Sequence, residues 1–263
     1  MKQFRHPQRP RKNTLVIGPA AVLNALREGL ELDKIFLQQQ ARGSSIEEVK
    51  DLARKHQVPV QYVPLAKLDS FHVTGHEGCV AQRARVRYID LQEMISFVVE
   101  KGQSPLFLIL DGITDIRNIG GIARTAYCCG VQALIIPDKG VGALQEDAIL
   151  TSAGALEKIP VCRVSSLMKA VDTLHLNGIQ VFASEMEASH TSFDTDFTIP
   201  CAIVMGSEEK GIYPALLKIC DRQFRIPMEG EFESLNVSVA TGMILYEAMK
   251  QRMAAAHRLG GTC

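Results

Sequence analysis

The second half of the chain alternates short, continuous apolar runs with segments of helical pattern. The helical segments include NIGGIARTAYCCG and SLMKAVDTLHLNG, and the apolar runs are LFLIL, ALIIP, PVCRV, IQVFAS, CAIVMG and FRIPM. An apolar run without polar alternation is typical of a strand that is buried on both faces of a parallel sheet. The pattern therefore predicts an α/β fold with a largely parallel sheet.

The first half predicts a smaller α/β unit over residues 13–86. AAVLNALREGL and SIEEVKDLARKHQ have helical spacing, whereas KIFLQ, VPVQYV and CVAQRARV are strand-like. The segment YIDLQEMISFVVEKGQS predicts a single linker helix within residues 87–104, which ends at Gly102 before Pro105 restarts an extended chain. Residues 105–263 then form the second domain.

The chain has no net charge, but its charges are unevenly distributed. Residues 1–13 hold five of the 29 basic side chains and no acid. Two prolines and no apolar periodicity predict that residues 1–12 are a disordered basic tail, and such tails often bind polyanions. A solubilising tail without a special role explains this feature equally well.

Composition is that of an ordinary globular protein, with 46% apolar and 22% charged residues. No apolar run reaches the ~18 residues of a membrane-spanning helix, and the basic start lacks the apolar stretch of a secretory signal. The seven cysteines are scattered, without a CxxC pair or a histidine at ligand spacing. They predict reduced core thiols, no metal site and a cytoplasmic location.

Three polar, glycine-bearing stretches each follow an apolar strand: DGITDIRNIGGIARTA, MGSEEKG and IPMEGEFESLN. Because ligands bind beyond the carboxyl ends of parallel strands, these stretches are expected to converge on one site. Gly120 and Gly121 resemble part of a phosphate-binding loop, but neither GxGxxG nor GxxxxGK[ST] is present. A dinucleotide-dependent oxidoreductase is therefore disfavoured.

The same stretches carry a family resemblance. NIGGIARTA, VMGSEEKG and IPMEGEFESLNVSVATG resemble the three motifs of the SpoU, or TrmH-like, branch of the SPOUT RNA methyltransferases. The likeness covers residues 105–252, and it is greatest to the bacterial members that 2′-O-methylate a guanosine of large-subunit ribosomal RNA. IGPAAVLNALREG and HEGCVAQ resemble the small RNA-binding domain that precedes many family members.

The resemblance implies a carboxyl-terminal domain with a trefoil knot that binds S-adenosylmethionine, largely through main-chain groups. Apolar side chains would flank the adenine. The positions that match cofactor-binding positions of the family are Gly206, Ile226, Met228 and Leu235. The positions that match catalytic or supporting residues are Asn118, Arg124, Glu208, Ser234 and Asn236. Ser234 and Asn236 also suit a helix cap, because Ser and Asn are preferred there.

The implied reaction is methyl transfer to a ribose 2′-hydroxyl of RNA by a homodimer whose sites draw on both subunits. Arg124 would serve either as the base or, since a guanidinium stays protonated, as a group that holds the adjacent phosphate. Transfer RNA, another ribosomal site and an adenosine target remain alternatives, as does a non-catalytic RNA-binding protein of the same fold. One departure from the family is Ile116, which stands where relatives usually have proline.

Overall fold

The computed structural model describes residues 15–56, 58–138, 140–141, 144, 146–230 and 234–258. The chain divides into two compact units between Arg85 and Val86. The predicted basic tail, residues 1–12, lies outside the described residues. The domain boundaries inferred from the sequence stay predictions.

In the part of the first unit that the structure describes, a four-stranded sheet is accompanied by three helices. β4 lies between β1 and β2 and is antiparallel to both, and β3 extends the sheet parallel to β2. The strands are β1 (Leu15–Ile17), β2 (Leu32–Gln38), β3 (Val60–Val63) and β4 (Cys79–Arg83), and the helices are α1 (Pro19–Arg27), α2 (Ser44–Lys55) and α3 (Leu65–Asp69). Val22, Ile35 and Val49 are fully buried in its core, as their apolar periodicity predicts.

The second unit is built on a seven-stranded sheet in the order β7-β6-β5-β10-β8-β11-β9. Every neighbouring pair of strands is parallel. The strands are β5 (Leu106–Leu110), β6 (Ala133–Pro137), β7 (Val161–Val164), β8 (Gln180–Ser184), β9 (His190–Thr191), β10 (Cys201–Met205) and β11 (Arg222–Arg225). The predicted α/β fold, a parallel sheet preceded by a small α/β unit, is confirmed. The trefoil knot stays a prediction.

Strand β5 shows why the apolar runs have no polar alternation. Leu106, Leu108 and Leu110 pack into one core, whereas Phe107 and Ile109 pack into the core on the opposite face of the sheet. Because successive side chains point to opposite faces, a strand covered on both sides is apolar at every position.

The last predicted strand, FRIPM, differs from the structure. β11 begins earlier and ends at Arg225, so Ile226 and Met228 follow the strand instead of lying in it. A proline at position 227 and the absence of ladder bonds beyond Arg225 fit this end. Both residues therefore lie at the carboxyl edge of the sheet, beyond the end of β11.

Six helices cover the second sheet, within the described residues. They are α4 (Leu91–Glu100), α5 (Ile116–Cys128), α6 (Glu146–Thr151), α7 (Leu167–Leu176), α8 (Pro214–Leu217) and α9 (Val237–Arg258). The helix that we expected to link the domains is α4, and it buries Met94, Ile95 and Val98 in the same core as residues of β5, β6 and β7. It is therefore part of the core of the second unit.

Gly120 and Gly121 lie inside α5 and let other helices approach it closely. A Cβ at Gly120 would stand 2.2 Å from Thr151 Oγ1, and one at Gly121 would stand 3.3 Å from Ser238 Cβ. Thr151 ends α6, and Ser238 lies in the first turn of α9. The glycine pair thus serves helix packing, in agreement with the poor match to a phosphate-binding loop.

The carboxyl-terminal part of α9 is anchored to the starts of two central strands. Arg252 donates to the carbonyl oxygens of Ser104, Pro105, Phe197 and Ile199 at 2.7 to 2.8 Å. These four residues precede β5 and β10. Because a guanidinium carries five donors in a fixed plane, one side chain holds both segments to the helix.

No helix in the described part of the chain combines the length and the apolar character that a membrane span needs.

Candidate active site

A cavity of about 650 Å³ opens at the carboxyl ends of β8, β10 and β11. Parallel strands present their ligand sites at this edge. The lining combines apolar side chains, carboxylates and two basic groups. The lining residues are Ser184, Glu185, Met186, Met205, Gly206, Ser207, Glu208, Glu209, Lys210, Gly211, Arg225, Ile226, Pro227, Met228, Gly230, Ser234, Leu235, Val237 and Ala240.

All four residues matched to cofactor positions line this cavity: Gly206, Ile226, Met228 and Leu235. Gly206 has no side chain, and the other three side chains are apolar. A flat aromatic ligand requires such walls. The structure therefore brings the four predicted positions together, although they come from two separate loops.

The loop after β10 is a tight turn closed by backbone hydrogen bonds. Ser207 N donates to Gly211 O at 3.1 Å, and Gly211 N donates to Ser207 O at 2.9 Å. A Cβ at Gly206 would stand 2.2 Å from the carbonyl carbon of Gly211. Only glycine fits at position 206, and this close approach fixes the direction in which Glu208 leaves the turn.

A second contact pins this loop to the end of the central strand β5. Tyr213 N donates to Asp111 Oδ2 at 2.6 Å, and Asp111 N donates to Met205 O at 2.9 Å. The loop is thus held both by its own turn and by the strand beside it.

Three side chains, one from each of the three polar stretches, form a hydrogen-bonded cluster in which Glu208 is the acceptor. Its Oε1 accepts hydrogen bonds from Asn118 Nδ2 at 3.0 Å, from Asn236 Nδ2 at 2.7 Å and from the Val237 amide at 3.1 Å. Asn236 Nδ2 also donates to Asn118 Oδ1 at 3.0 Å. The convergence that we expected from the strand-end rule is present in the structure.

Asn236 also caps helix α9. Its Oδ1 accepts from the amides of Ser238 at 3.0 Å and Val239 at 3.4 Å. The position of Glu208 beside the amino end of the same helix is favourable, because unpaired amides there carry partial positive charge. Asn236 is thus both a helix cap and part of the polar cluster. Ser234 lies two residues earlier as an exposed side chain in the cavity wall.

Ile116, the departure from the family pattern, is the first residue of α5. That position leaves its amide without a helical partner in any case, and proline is common there for this reason. The preceding Asp115 caps the helix by accepting from the Arg117 amide at 2.8 Å. Asn118 keeps its place in the first turn, so the departure does not remove it from the cluster.

Arg124 is not part of this cluster within one chain. It is an exposed residue of α5, outside the lining of the cavity, and the described residues provide no hydrogen bond or ion pair to its side chain. Among the nine predicted site residues, it is the one that the single chain leaves apart.

The six cysteines of the described residues are free thiols. Burial raises the pKa of Cys79, Cys162 and Cys220 to about 12 and that of Cys201 to about 11. These four side chains are therefore protonated and inert at neutral pH. Cys128 differs from the expected core position, because it is exposed at the end of α5.

Sequence reasoning missed part of the cavity wall, namely Ser184, Glu185 and Met186 at the end of β8 and Arg225 at the end of β11. The strand-end rule, applied to IQVFAS as it was to the neighbouring strands, would have indicated the first three. Without a glycine-bearing stretch after β8, the segment carries no other signal.

Two family models match the chain and together cover both units. Residues 105–246 match the SpoU rRNA Methylase family. Residues 15–89 match the model described as RNA 2'-O ribose methyltransferase substrate binding.

Curated and solved proteins agree with these matches. The putative TrmH family tRNA/rRNA methyltransferase YacO of Bacillus subtilis is 35% identical over 237 residues, which cover 90% of this chain and 95% of that protein. The SpoU methyltransferase AviRb from Streptomyces viridochromogenes, in complex with AdoMet, shares the fold with a TM-score of 0.58 at 24% identity, covering 91% of this chain and 90% of that one. The TrmH/SpoU tRNA modifying enzyme of A. aeolicus has a TM-score of 0.53 at 29% identity, covering 63% and 86%.

The fold, the cavity at the strand ends and the matched substrate-binding unit define an S-adenosylmethionine-dependent RNA methyltransferase. The chain belongs to the SpoU rRNA methylase family.

Proposed function

We propose that this enzyme transfers a methyl group to a ribose 2′-hydroxyl of RNA, and that its cofactor binds in the cavity beside Glu208. The observation that carries this proposal is the meeting of Asn118, Glu208 and Asn236, three polar residues from separate segments, next to a cavity with apolar walls. The description of the matched amino-terminal unit, which names RNA 2'-O ribose methyltransferases, supports the same reaction.

The residues of the cavity fit S-adenosylmethionine. Its volume of about 650 Å³ is in the range of small-molecule sites. Ile226 and Leu235 provide apolar walls for an adenine ring, and carboxylates suit a cationic ligand. When bound, the cofactor supplies an electrophilic sulfonium methyl group.

The polar cluster has an orienting role in this proposal. Glu208 holds the amide groups of Asn118 and Asn236 in place, and Ser234 stands in the cavity wall, where its hydroxyl can contact the substrate or the cofactor. Alignment of a nucleophilic oxygen with a reacting carbon accounts for a large part of such catalysis. Fixed side chains are therefore more useful here than mobile ones.

Arg124 acts on the RNA in this proposal. Its positively charged guanidinium grips the phosphate next to the target ribose and lowers the pKa of the 2′-hydroxyl, while water takes the proton. Because Arg124 stands apart from the cavity of its own chain, we propose that a second copy of the protein brings it to the site.

An apolar stripe on α9 supports such a homodimer. Val239, Met243, Tyr246 and Met253 are exposed by 45 to 62%, and their spacing places them on one face of the helix. The opposite face of α9 is buried in its own unit, with Ile244, Leu245 and Ala248 in the core. α5, which carries Arg124, packs directly against α9. A symmetric pair across this stripe would therefore place Arg124 near the interface.

Methylation assays with single variants and with mixed subunits test this proposal. Arg124→Ala should lose transfer by at least a hundredfold and keep cofactor affinity, and Arg124→Lys should recover little because it loses the bidentate fork. Arg117→Ala, on the same helix and paired with Asp115, is the matched control. A substantially active Arg124→Ala enzyme removes Arg124 from the chemistry.

Mixed dimers then decide whether the site is shared. In this experiment, inactive Arg124→Ala chains and inactive Glu208→Gln chains are mixed in equal amounts and exchange subunits. If each site takes Arg124 from the other subunit, one of the two sites in every mixed dimer has both residues, and roughly a quarter of wild-type activity returns. No recovery, although exchange is complete, means that Arg124 acts within its own chain.

We propose that the substrate is ribosomal RNA, with a guanosine of the large subunit as the target. Curated relatives carry names that include both tRNA and rRNA, so transfer RNA and other ribosomal sites are the alternatives. Mapping of ribose methylation in RNA from cells that lack the gene separates them, because one nucleotide loses its methyl group.

Free thiols throughout the described residues support the proposed cytoplasmic location. The non-catalytic alternative fits less well, since every matched polar residue is retained.

A further inference from the structure

Glu185 stands in the cavity wall immediately after β8 and is fixed on two sides. Its amide donates to Phe224 O of β11 at 2.9 Å, and its Oε1 accepts from the Met186 amide at 3.0 Å. Its Oε2 faces the turn after β10, 3.9 Å from the point where a Cβ of Gly211 would stand. Backbone and side chain are thus held before any ligand arrives.

The polar cluster around Glu208 does not use this carboxylate. Glu185 is half-buried, it lines the cavity, and the described residues provide no donor to Oε2. An ionised carboxylate can only accept hydrogen bonds. Its open oxygen therefore suits a ligand that presents hydroxyl or ammonium donors.

We propose that Glu185 accepts hydrogen bonds from the vicinal hydroxyls of the cofactor's ribose. This inference rests on the proposed position of the cofactor in this cavity. A carboxylate at the carboxyl end of a parallel strand is the arrangement with which dinucleotide-binding sheets hold a ribose. Lys210 and Arg225 line the same cavity, so a methionine carboxylate finds cationic partners elsewhere in the wall.

Calorimetric titration with S-adenosylhomocysteine tests the proposal without turnover. Glu185→Gln should weaken binding about tenfold and Glu185→Ala up to about a hundredfold, the range for a hydrogen bond to a charged group. Glu187→Gln makes the same charge change at an exposed residue outside the cavity lining, and its affinity should equal that of wild type. Equal thermal unfolding of the unliganded variants shows that they fold.

Two further ligands identify the group that Glu185 binds. 5′-Methylthioadenosine keeps the ribose but lacks the amino acid, so Glu185→Gln should weaken its binding by the same factor. An analogue without the ribose hydroxyls should bind wild type and Glu185→Gln equally. If the variant weakens S-adenosylhomocysteine but leaves 5′-methylthioadenosine unchanged, Glu185 holds the ammonium and the proposal is wrong.

Different results overturn the role of Glu185 and the position of the cofactor. Wild-type binding with unchanged affinity in both Glu185 variants overturns this inference and leaves the proposed function intact. A wild-type protein that binds no S-adenosylhomocysteine overturns the cofactor position, and the role of Glu185 with it.

Discussion

Asn236 makes two sets of contacts that substitutions can separate. Its oxygen accepts from the first amides of α9, and its Nδ2 donates to Glu208 and Asn118 at 2.7 and 3.0 Å. Alanine removes both sets, and serine keeps an acceptor for the cap. Aspartate keeps the cap too, but replaces the donor by a second negative charge beside Glu208.

The expected losses follow from these contacts. A lost cap costs about 1 kcal/mol, and a lost hydrogen bond to a carboxylate costs about 1.5 to 3 kcal/mol. Because Asn236 is exposed, we take the lower figures and expect Asn236→Ala to lower the free energy of unfolding by roughly 2 to 3 kcal/mol. Asn236→Ser should lose roughly 1 to 2 kcal/mol, since it keeps part of the cap.

Asn236→Asp adds a dependence on pH. Two carboxylates in contact raise the folded-state pKa of one of them above its unfolded value. At neutral pH the two carboxylates repel each other, so the variant should be at least as unstable as Asn236→Ser. As pH falls through the raised folded-state pKa, one carboxylate binds a proton and the deficit shrinks.

Urea unfolding at neutral and mildly acidic pH measures these differences, and methylation assays on the same samples measure the effect on transfer. The three variants should all lose activity, with aspartate the least active at neutral pH. Wild-type stability and activity of Asn236→Asp at neutral pH would mean that the contact between Asn236 and Glu208 contributes nothing, and the orienting role would have to be abandoned.

Two further predictions concern helix packing. Gly120→Ala should lower the free energy of unfolding by about 1 to 3 kcal/mol, because the new Cβ would stand 2.2 Å from Thr151 Oγ1, whereas Gly121→Ala, with 3.3 Å to Ser238 Cβ, should change it by less than about 1 kcal/mol. Equal effects in urea unfolding would contradict the close approach of α6. Arg252→Ala, which loses the donors to four carbonyl groups, should cost about 3 kcal/mol or more. Arg252→Lys should recover less than half of that loss, and a fully stable Arg252→Ala protein would refute the anchoring role.

The apolar pattern predicted the strands of the second unit well because most of these strands are buried on both faces of the sheet. A strand such as β5, with neighbouring side chains in two different cores, must be apolar at every position. The helix that contains Gly120 and Gly121 was also predicted, because the apolar residues around the two glycines keep helical spacing. The end of β11 was placed too late, because Phe224 and Ile226 continue the apolar pattern across a strand end that hydrogen bonding sets.

The order of the strands and the polar cluster could not be derived from periodicity. β10 inserts between β5 and β8, and no local pattern encodes that choice. Asn118 and Glu208 are 90 residues apart. Their meeting was expected only from the general rule for strand ends and from the family resemblance. The strand-end rule also applies to Glu185, which follows β8, but no motif singles this residue out, and only the folded structure shows that it lines the cavity.

Helix α9 connects the site, the core and the proposed dimer. Its first turn carries the contacts to Glu208, and near its other end Arg252 ties it to the strands. Between them, Ile244 and Leu245 face the core while Met243 and Tyr246 face outward. A helix with apolar residues on both faces is expected to be buried on both. The exposed apolar residues of the outer face therefore fit the proposed dimer, in which a second copy covers this face and brings Arg124 to the site.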